Sequence, residues 1–148
     1  MIIMHPEIDK NKFKNGLYIV STPIGNLGDI TFRAIEVLKN SKHIFCEDTR
    51  VTKKLTSHFN IKSTLISNHK FNESKNLKKI IELLNTGQIV SLVSDAGTPA
   101  LSDPGRLIVE ECVKKKNKYI SNSWTLFSYS SSVDKWFFKQ FFLQRFHI

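Results

Sequence analysis

The sequence predicts an α/β domain built on a parallel sheet, and two observations lead to this prediction. Short β-rich runs alternate with helical patterns between residues 17 and 115, so that a strand is followed by a helix four times in succession. This alternation is typical of parallel sheets whose strands are joined by right-handed helical crossovers. Three of the strands are also followed by loops rich in glycine, proline or acidic residues. Ligands of parallel sheets bind beyond the carboxyl ends of the strands, where such loops lie.

The four predicted strands are short apolar runs with many β-branched residues. They span residues 17–20, 44–46, 64–66 and 89–93. The four predicted helices show apolar residues at helical spacing. They span residues 32–40, 51–59, 74–84 and 106–115. Thr31 is the expected cap of the first helix, and Gly87 ends the third.

Composition limits the classes of protein to which the chain can belong. Its 148 residues suffice for one domain with a core. Two cysteines, Cys46 and Cys112, exclude a disulfide scaffold and are most simply buried thiols. No apolar run approaches the ~18 residues of a membrane span, and no signal peptide is evident, so we expect a cytoplasmic protein. The 22 lysines and arginines exceed the 13 acidic residues, which suits a polyanionic partner without identifying it.

The composition changes abruptly near residue 117. The last 32 residues contain no glycine or proline, yet they hold 10 of the 16 aromatic residues. A folded domain rarely loses its turn residues while it gains aromatics in this way. We therefore divide the chain into an extension at 1–15, an α/β domain at 16–116 and an aromatic, serine-rich tail at 117–148.

Three loops carry the candidate functional residues, and all three are expected at one edge of the sheet. They span residues 21–29, 47–50 and 94–105. Their small residues allow close backbone approach, and their carboxylates and hydroxyls can reach polar ligand atoms.

Plain structural alternatives exist for two of these loops. The first matches neither Gly-x-Gly-x-x-Gly nor a phosphate loop, and it can be a simple turn into a helix capped by Thr31. In the second loop, Glu47, Asp48 and Arg50 can form a surface ion pair. The third loop, residues 94–105, is long for a plain connection, which favours function. The histidines show no metal-ligand spacing, so no metal site is predicted.

The three loops together resemble those of the ribosomal small-subunit RNA methyltransferase I family. The similarity lies in LYIVSTPIGNLGDIT at 17–31, CEDTR at 46–50 and SDAGTPALSDPG at 94–105, in this order and at fitting spacing. It covers residues 16 to about 116. That family belongs to the tetrapyrrole-methylase-like class of S-adenosylmethionine (SAM) enzymes.

The resemblance implies two α/β domains with SAM bound in the cleft between them, in a homodimer. It implies 2′-O-methylation of a cytidine ribose in the decoding region of 16S rRNA in the small ribosomal subunit. Carried over by motif, two segments would line the SAM site: Pro23, Gly25 and Asn26 in the first loop, and Asp95, Ala96, Gly97, Thr98 and Pro99 in the third. Glu47, Asp48 and Arg50 would lie at the cleft, where they would contact the substrate or close the site.

Methyl transfer needs an in-line approach of the ribose oxygen and removal of its proton, and it needs no metal. Either Asp48 or Asp95 can be the base, and the sequence does not choose between them. Arg50 and the lysines can hold phosphate oxygens, which gives affinity without sequence reading.

The chain departs from the family after residue 116, where the family continues with a Pro-Ile-Pro-Gly-Pro-like loop and a second domain. Here residues 121–125 read SNSWT. With suitable codons, this stretch reads Pro-Ile-Pro-Gly-Pro one base further on. We therefore expect that residues from about 117 onward are translated out of frame, that the second domain is missing and that the chain is inactive. The alternative is a genuine divergent tail that docks an aromatic segment.

Two further functions compete with a methyltransferase. One is a non-catalytic remnant. The other is a basic α/β module that binds RNA or a nucleotide without chemistry.

Overall fold

The alternation of strands and helices produces a parallel sheet with helices on both faces. The structure, a computed structural model, describes residues 13–99, 105–114 and 119–121. The strands are β1 (Gly16–Ile19), β2 (His43–Cys46), β3 (Thr64–Ser67), β4 (Ile89–Val93) and β5 (Tyr119–Ser121). The helices are α1 (Phe32–Asn40), α2 (Thr49–His58), α3 (Glu73–Asn85) and α4 (Arg106–Lys114). All strand pairs are parallel, in the order β3-β2-β4-β1-β5, which confirms the predicted fold class.

Alternate residues of β1 to β4 enter two separate cores. Leu17 and Ile19 of β1 pack toward α3 and α4, together with Ile80 and Ile108 of those helices. The intervening residues of the strands pack toward α1 and α2. A strand that is buried on both faces has a continuous run of apolar residues rather than an alternation of apolar and polar residues. This is why the strands were recognisable in the sequence.

One buried polar contact lies within the second core. The hydroxyl oxygens of Ser41 and Ser91 are 2.6 Å apart, and Ser41 Oγ also lies 2.9 Å from the carbonyl oxygen of Val37, to which it can donate. Each serine thus has a partner, so neither leaves an unsatisfied hydroxyl in the core.

Two features differ from the sequence prediction. Helix α2 begins at Thr49 rather than at 51, because the Asp48 carboxylate caps it by accepting the N–H of Arg50 at 2.8 Å. Strand β5 was not predicted, and it pairs with β1 through Leu17 and Tyr119. It lies beyond the predicted boundary at 116, where it covers the open edge of β1. The predicted tail beyond 121 lies outside the described residues.

The connections reverse direction between β4 and β1 at the carboxyl edge of the sheet. The loop after β1 leads to α1 on one face, whereas the loop after its neighbour β4 leads to α4 on the other. In parallel sheets, ligands bind at the carboxyl ends of strands where such a reversal occurs. Of the helices that the structure describes, none is both long and apolar enough to cross a membrane.

Candidate functional site at the carboxyl edge of the sheet

The loops after β1 and β4 are joined by their backbones. Thr22 and Gly97 form an antiparallel bridge, in which Thr22 N–H donates to Gly97 O at 2.9 Å and Gly97 N–H donates to Thr22 O at 3.0 Å. Two residues earlier, Val20 N–H donates to Leu92 O at 3.0 Å and continues the pairing of the two strands. The two predicted loops are therefore brought together as expected from the topology.

Side-chain hydroxyls reinforce this junction. Ser21 Oγ and Thr98 Oγ1 lie 2.6 Å apart, and Thr22 Oγ1 donates to the carbonyl of Ser94 at 3.0 Å. Both Ser21 and Thr22 are buried, with 9% exposure each. Neither residue was among the predicted site residues. The available signal was a serine and a threonine immediately after a buried strand, a place where hydroxyls often bond to loop backbone.

Asp95 connects the loop after β4 to the loop after β2. Its Oδ1 accepts the backbone N–H of Asp48 at 3.0 Å. The two predicted acidic residues thus lie side by side, each at the carboxyl end of a central strand. We call Ser21, Thr22, Asp48, Asp95 and Thr98 the loop clasp, because their contacts hold the three loops together.

Asp48 has two local partners in addition to this contact. Its carboxylate accepts the Arg50 N–H, and it pairs with the Arg50 guanidinium at 2.7 Å between Oδ2 and Nη2. These hydrogen bonds favour the charged form and lower the pKa of Asp48 to about 2. The guanidinium is 88% exposed. The surface ion pair named as the alternative for this loop is therefore present.

The predicted glycines adopt conformations that suit glycine. Gly25 has φ +89° and Gly97 has φ +81°, values at which an L side chain is strained. A Cβ built on Gly97 would lie 3.7 Å from Cδ1 of Ile24, so the two loops touch there. Ile24 itself is 77% exposed. The loop thus presents a bare glycine and an exposed apolar side chain at the same edge.

The other predicted residues of these loops lie around this point. The Asn26 side chain accepts Gly28 N–H at 2.9 Å and caps a short 3-10 helix at Leu27–Asp29, so its oxygen is used locally. Pro23 and Ala96 are at the surface to different degrees, and Pro99 is buried. Residues 100–104 of the third predicted loop lie outside the described part.

The loop after β3 is a fourth loop at the carboxyl edge of the sheet. The sequence did not indicate a functional role for this loop. Asn68 N–H donates to Cys46 O at 2.7 Å, which extends the pairing of β3 with β2. Glu73, at the start of α3, is 6% exposed, and its Oε1 accepts Gly105 N–H at 2.8 Å. This bond ties the start of α3 to the start of α4, 32 residues further on.

The cysteines are buried and free, as predicted. Cys46 ends β2 beneath the loop clasp, and burial, together with the nearby charges of Asp95 and Asp48, raises the pKa of its thiol. A thiol with a raised pKa is a poor nucleophile. Within the described ranges, no three His, Cys, Asp or Glu side chains form a cluster that could hold a metal ion.

Comparisons with known proteins match the same part of the chain. Residues 16–120 match the family model described as Tetrapyrrole (Corrin/Porphyrin) Methylases. A protein of Mycoplasmopsis pulmonis named ribosomal RNA small subunit methyltransferase I is 55% identical over 101 residues, which are 68% of this chain and 45% of that protein. Proteins of the same name from Halalkalibacterium halodurans and Rickettsia prowazekii are 51% and 50% identical, over 69% and 72% of this chain and 35% and 38% of theirs. The chain thus matches less than half the length of these relatives.

Proposed function

The chain belongs to the tetrapyrrole (corrin/porphyrin) methylase family, and we propose that its α/β domain is one half of a SAM-dependent methyltransferase that acts on small-subunit ribosomal RNA. The observation that carries this proposal is the family match over residues 16–120, which includes the β1 and β2 loops and the described part of the β4 loop. The resemblance seen in the sequence is confirmed by relatives at 50–55% identity.

The residues at the carboxyl edge fit one side of a site for such a donor. Small residues lie at Ala96 and Gly97, the exposed Ile24 offers an apolar surface, and Asp95 offers a carboxylate of the kind that accepts ribose hydroxyls. When bound, SAM supplies the electrophilic methyl group. The loop clasp holds Asp95 and Gly97 in fixed positions before any ligand arrives, which reduces the entropy lost on binding.

Of the two candidate bases, we favour Asp95. A general base works best when its pKa is near the operating pH, and the pKa of Asp48 at about 2 makes it a weak proton acceptor. Asp48 instead caps α2 and orients Arg50. The exposed Arg50 guanidinium then meets phosphate oxygens of the RNA.

The finer points of the proposal come from the family resemblance. They are 2′-O-methylation of a cytidine ribose, a homodimer and a cytoplasmic location. Because the chain matches less than half the length of its relatives, we propose that the 148 residues supply one side of the donor site and do not complete the transfer alone.

A second candidate function is an RNA-binding module without chemistry. One observation favours it. Residues 49–79 hold eight lysines and arginines but a single acidic residue, Glu73. This arrangement suits a polyanion whether or not a methyl group is transferred.

Two measurements on the full chain test the proposed function. The first is the equilibrium affinity for SAM of the wild type, Asp95→Asn and Asp95→Ala. Asparagine retains an oxygen that can accept Asp48 N–H, so Asp95→Asn removes only the negative charge. We expect this variant to bind SAM about tenfold more weakly than the wild type. Equal affinity of all three proteins, or no binding by any, would contradict the proposed donor site.

The second measurement is transfer of a labelled methyl group from SAM to unmodified small ribosomal subunits. We expect none from the full chain alone. Transfer by this chain would contradict the claim that it cannot complete the reaction alone, and it would exclude the module without chemistry.

A further inference from the structure

We propose that the β3 edge of the sheet is a docking surface for single-stranded RNA, with Phe71 as a stacking platform for a base. The surface comprises residues 49–79, which we call the cationic flank. This inference rests on the proposed function only in taking RNA as the ligand, and it does not require methyl transfer.

Charge is distributed very unevenly over the molecule. The cationic flank holds eight basic residues, all of them exposed: Arg50, Lys53, Lys54, Lys62, Lys70, Lys75, Lys78 and Lys79. Its one acidic group, Glu73, is buried against Gly105 N–H. The remaining described residues hold six basic and eight acidic groups. The positive potential of the described part is therefore concentrated on one side.

Three acidic residues lie close to the ends of the flank in sequence. Glu47 is exposed, Asp48 is paired with Arg50, and the exposed Glu82 lies one helical turn beyond Lys78 on α3. None of them lies within the flank, so its eight basic residues outnumber these neighbouring carboxylates. The flank spans α2 on one face of the sheet, β3 at its edge and α3 on the other face. Its shape is thus a convex ridge rather than a pocket.

Phe71 is the most exposed large apolar side chain of the described residues, at 95%. It is held in place by its neighbours. Asn72 Oδ1 accepts His69 N–H at 2.7 Å, Asn72 Nδ2 donates to Ser67 O at 3.0 Å, and Phe71 N–H bonds to His69 Nδ1 at 3.3 Å. The turn between β3 and α3 is therefore fixed while the phenyl ring projects into water.

The His69 ring stands edge-on to the phenyl ring, with centroids 6.1 Å apart, and Lys70 lies between them in sequence. An exposed aromatic ring among cations is the combination that single-stranded nucleic acids recognise, since bases stack on the ring and phosphates meet the charges. Duplex RNA, whose bases are already stacked, cannot use Phe71 in this way. The exposed Phe71 ring therefore favours a single strand over a duplex.

The position of the turn links this surface to the candidate site. Asn68, directly before the turn, bonds to Cys46 O at the end of β2. The loops after β3 and β2 are thus neighbours on the edge that carries the loop clasp. An RNA strand that stacks on Phe71 therefore lies beside the loop that carries Asp48 and Arg50, and Asp48 N–H is bonded to Asp95. A second copy of this chain is a poorer occupant, because two cationic flanks would repel each other.

The test is fluorescence anisotropy of the full chain with a labelled unstructured 12-nucleotide RNA, without SAM. We expect Phe71→Ala to weaken binding about tenfold. The matched control is Phe32→Ala, at an exposed aromatic residue of α1 outside the flank, which we expect to bind as the wild type does. Because Phe71 is exposed, folding should be unchanged, and circular dichroism of each variant checks this.

Salt dependence supplies the second readout. Lys75→Gln with Lys78→Gln should reduce the slope of log affinity against log salt by about 1.4, whereas Lys14→Gln with Lys39→Gln should leave it unchanged. Three results would overturn the proposal. They are equal RNA affinity of Phe71→Ala and Phe32→Ala, equal salt slopes of the two double lysine variants, and a higher affinity of the wild type for duplex RNA than for single-stranded RNA. Concentration-dependent dimerisation that Phe71→Ala abolishes would identify a second copy as the occupant instead.

Failure of this proposal differs from failure of the proposed function. SAM binding that depends on Asp95, with RNA binding indifferent to Phe71, would overturn only the docking surface. RNA binding that depends on Phe71 without any SAM binding would overturn only the donor site.

Discussion

The loop clasp lies at the carboxyl ends of the central strands and the cationic flank lies along the outer strand β3 of the same sheet, and the two regions are built from different kinds of residue. The loop clasp consists of backbone bonds, small residues and short hydroxyl contacts such as Ser21 to Thr98 at 2.6 Å. The cationic flank consists of long, exposed basic side chains around one projecting ring. The hydrogen-bonded loop clasp is held in one arrangement before a ligand binds, which suits a small donor, whereas the cationic flank supplies long-range attraction, which suits a polymer.

Glu73 ties the cationic flank to the start of α4 through Gly105, and its removal should have the largest effect on stability. Glu73→Ala leaves the buried Gly105 N–H without an acceptor, and we expect the free energy of unfolding to fall by about 2–3 kcal/mol. Urea denaturation measures this loss. The control is Glu82→Ala, at an exposed position of the same helix. A loss no larger than that of the control would show that the bond from Glu73 to Gly105 does not hold α3 and α4 together.

The loop clasp depends on backbone conformation at Gly97, where the next largest effect is expected. Gly97→Ala places an L side chain at φ +81°, which costs about 1–2 kcal/mol of stability, although its Cβ meets only Ile24 at an ordinary distance. Gly97→Asn should lose less, because asparagine tolerates this conformation better. If both variants melt at the wild-type temperature, the clasp does not constrain Gly97.

A single hydroxyl of the clasp should matter less. Thr22→Val keeps the shape of the side chain but removes the donor to Ser94 O, so we expect a loss of about 1 kcal/mol in urea denaturation. Thr64→Val, at an exposed position of β3, is the control and should change little. A larger loss of stability in Thr64→Val than in Thr22→Val would show that the rigid region is the cationic flank and not the loop clasp.

The smallest effect concerns the ion pair at the border of the two regions. The pKa of Asp48 in the folded protein, about 2, lies below the ordinary value of 3.8. Its contribution to stability is therefore present above pH 4 and is lost as the pH falls toward 2. Asp48→Asn keeps a capping oxygen without the charge. We expect wild type to be slightly more stable than this variant at pH 6, with the difference vanishing near pH 2; a constant difference would contradict the assignment.

The fold could be predicted well because it depends on periodicity. Every strand of the first four is a compact apolar run, and the punctuation at Thr31 and Gly87 marks helix ends clearly. Strand β5 escaped prediction because its three residues gain stability from pairing with β1 and not from a pattern of their own. The start of α2 was not predicted, because Asp48 follows a strand in an acidic loop that also fits catalysis or an ion pair. Only the structure shows that its carboxylate is the N-cap of the helix.

The candidate site divides in the same way. Loop motifs and sheet topology predicted that Asp48 and Asp95 would meet at one edge, and they do. The contacts that position them were not predictable, because Ser21 with Thr98 and Glu73 with Gly105 are 77 and 32 residues apart and have no local signature. The exposure of Phe71 was not predictable for another reason. A single aromatic residue before a helix usually belongs to the hydrophobic core, and only the structure shows that this one is exposed.

The central claim is that the two regions bind two different ligands, and crossed titrations test it most directly. Wild type, Asp95→Asn and Phe71→Ala, each as the full chain, are titrated with SAM and with the single-stranded RNA. The account predicts that Asp95→Asn loses affinity for SAM and keeps RNA, while Phe71→Ala loses affinity for RNA and keeps SAM. Loss of the same ligand by both variants, or of neither ligand by either, would contradict the division of the edge into a donor side and an RNA side.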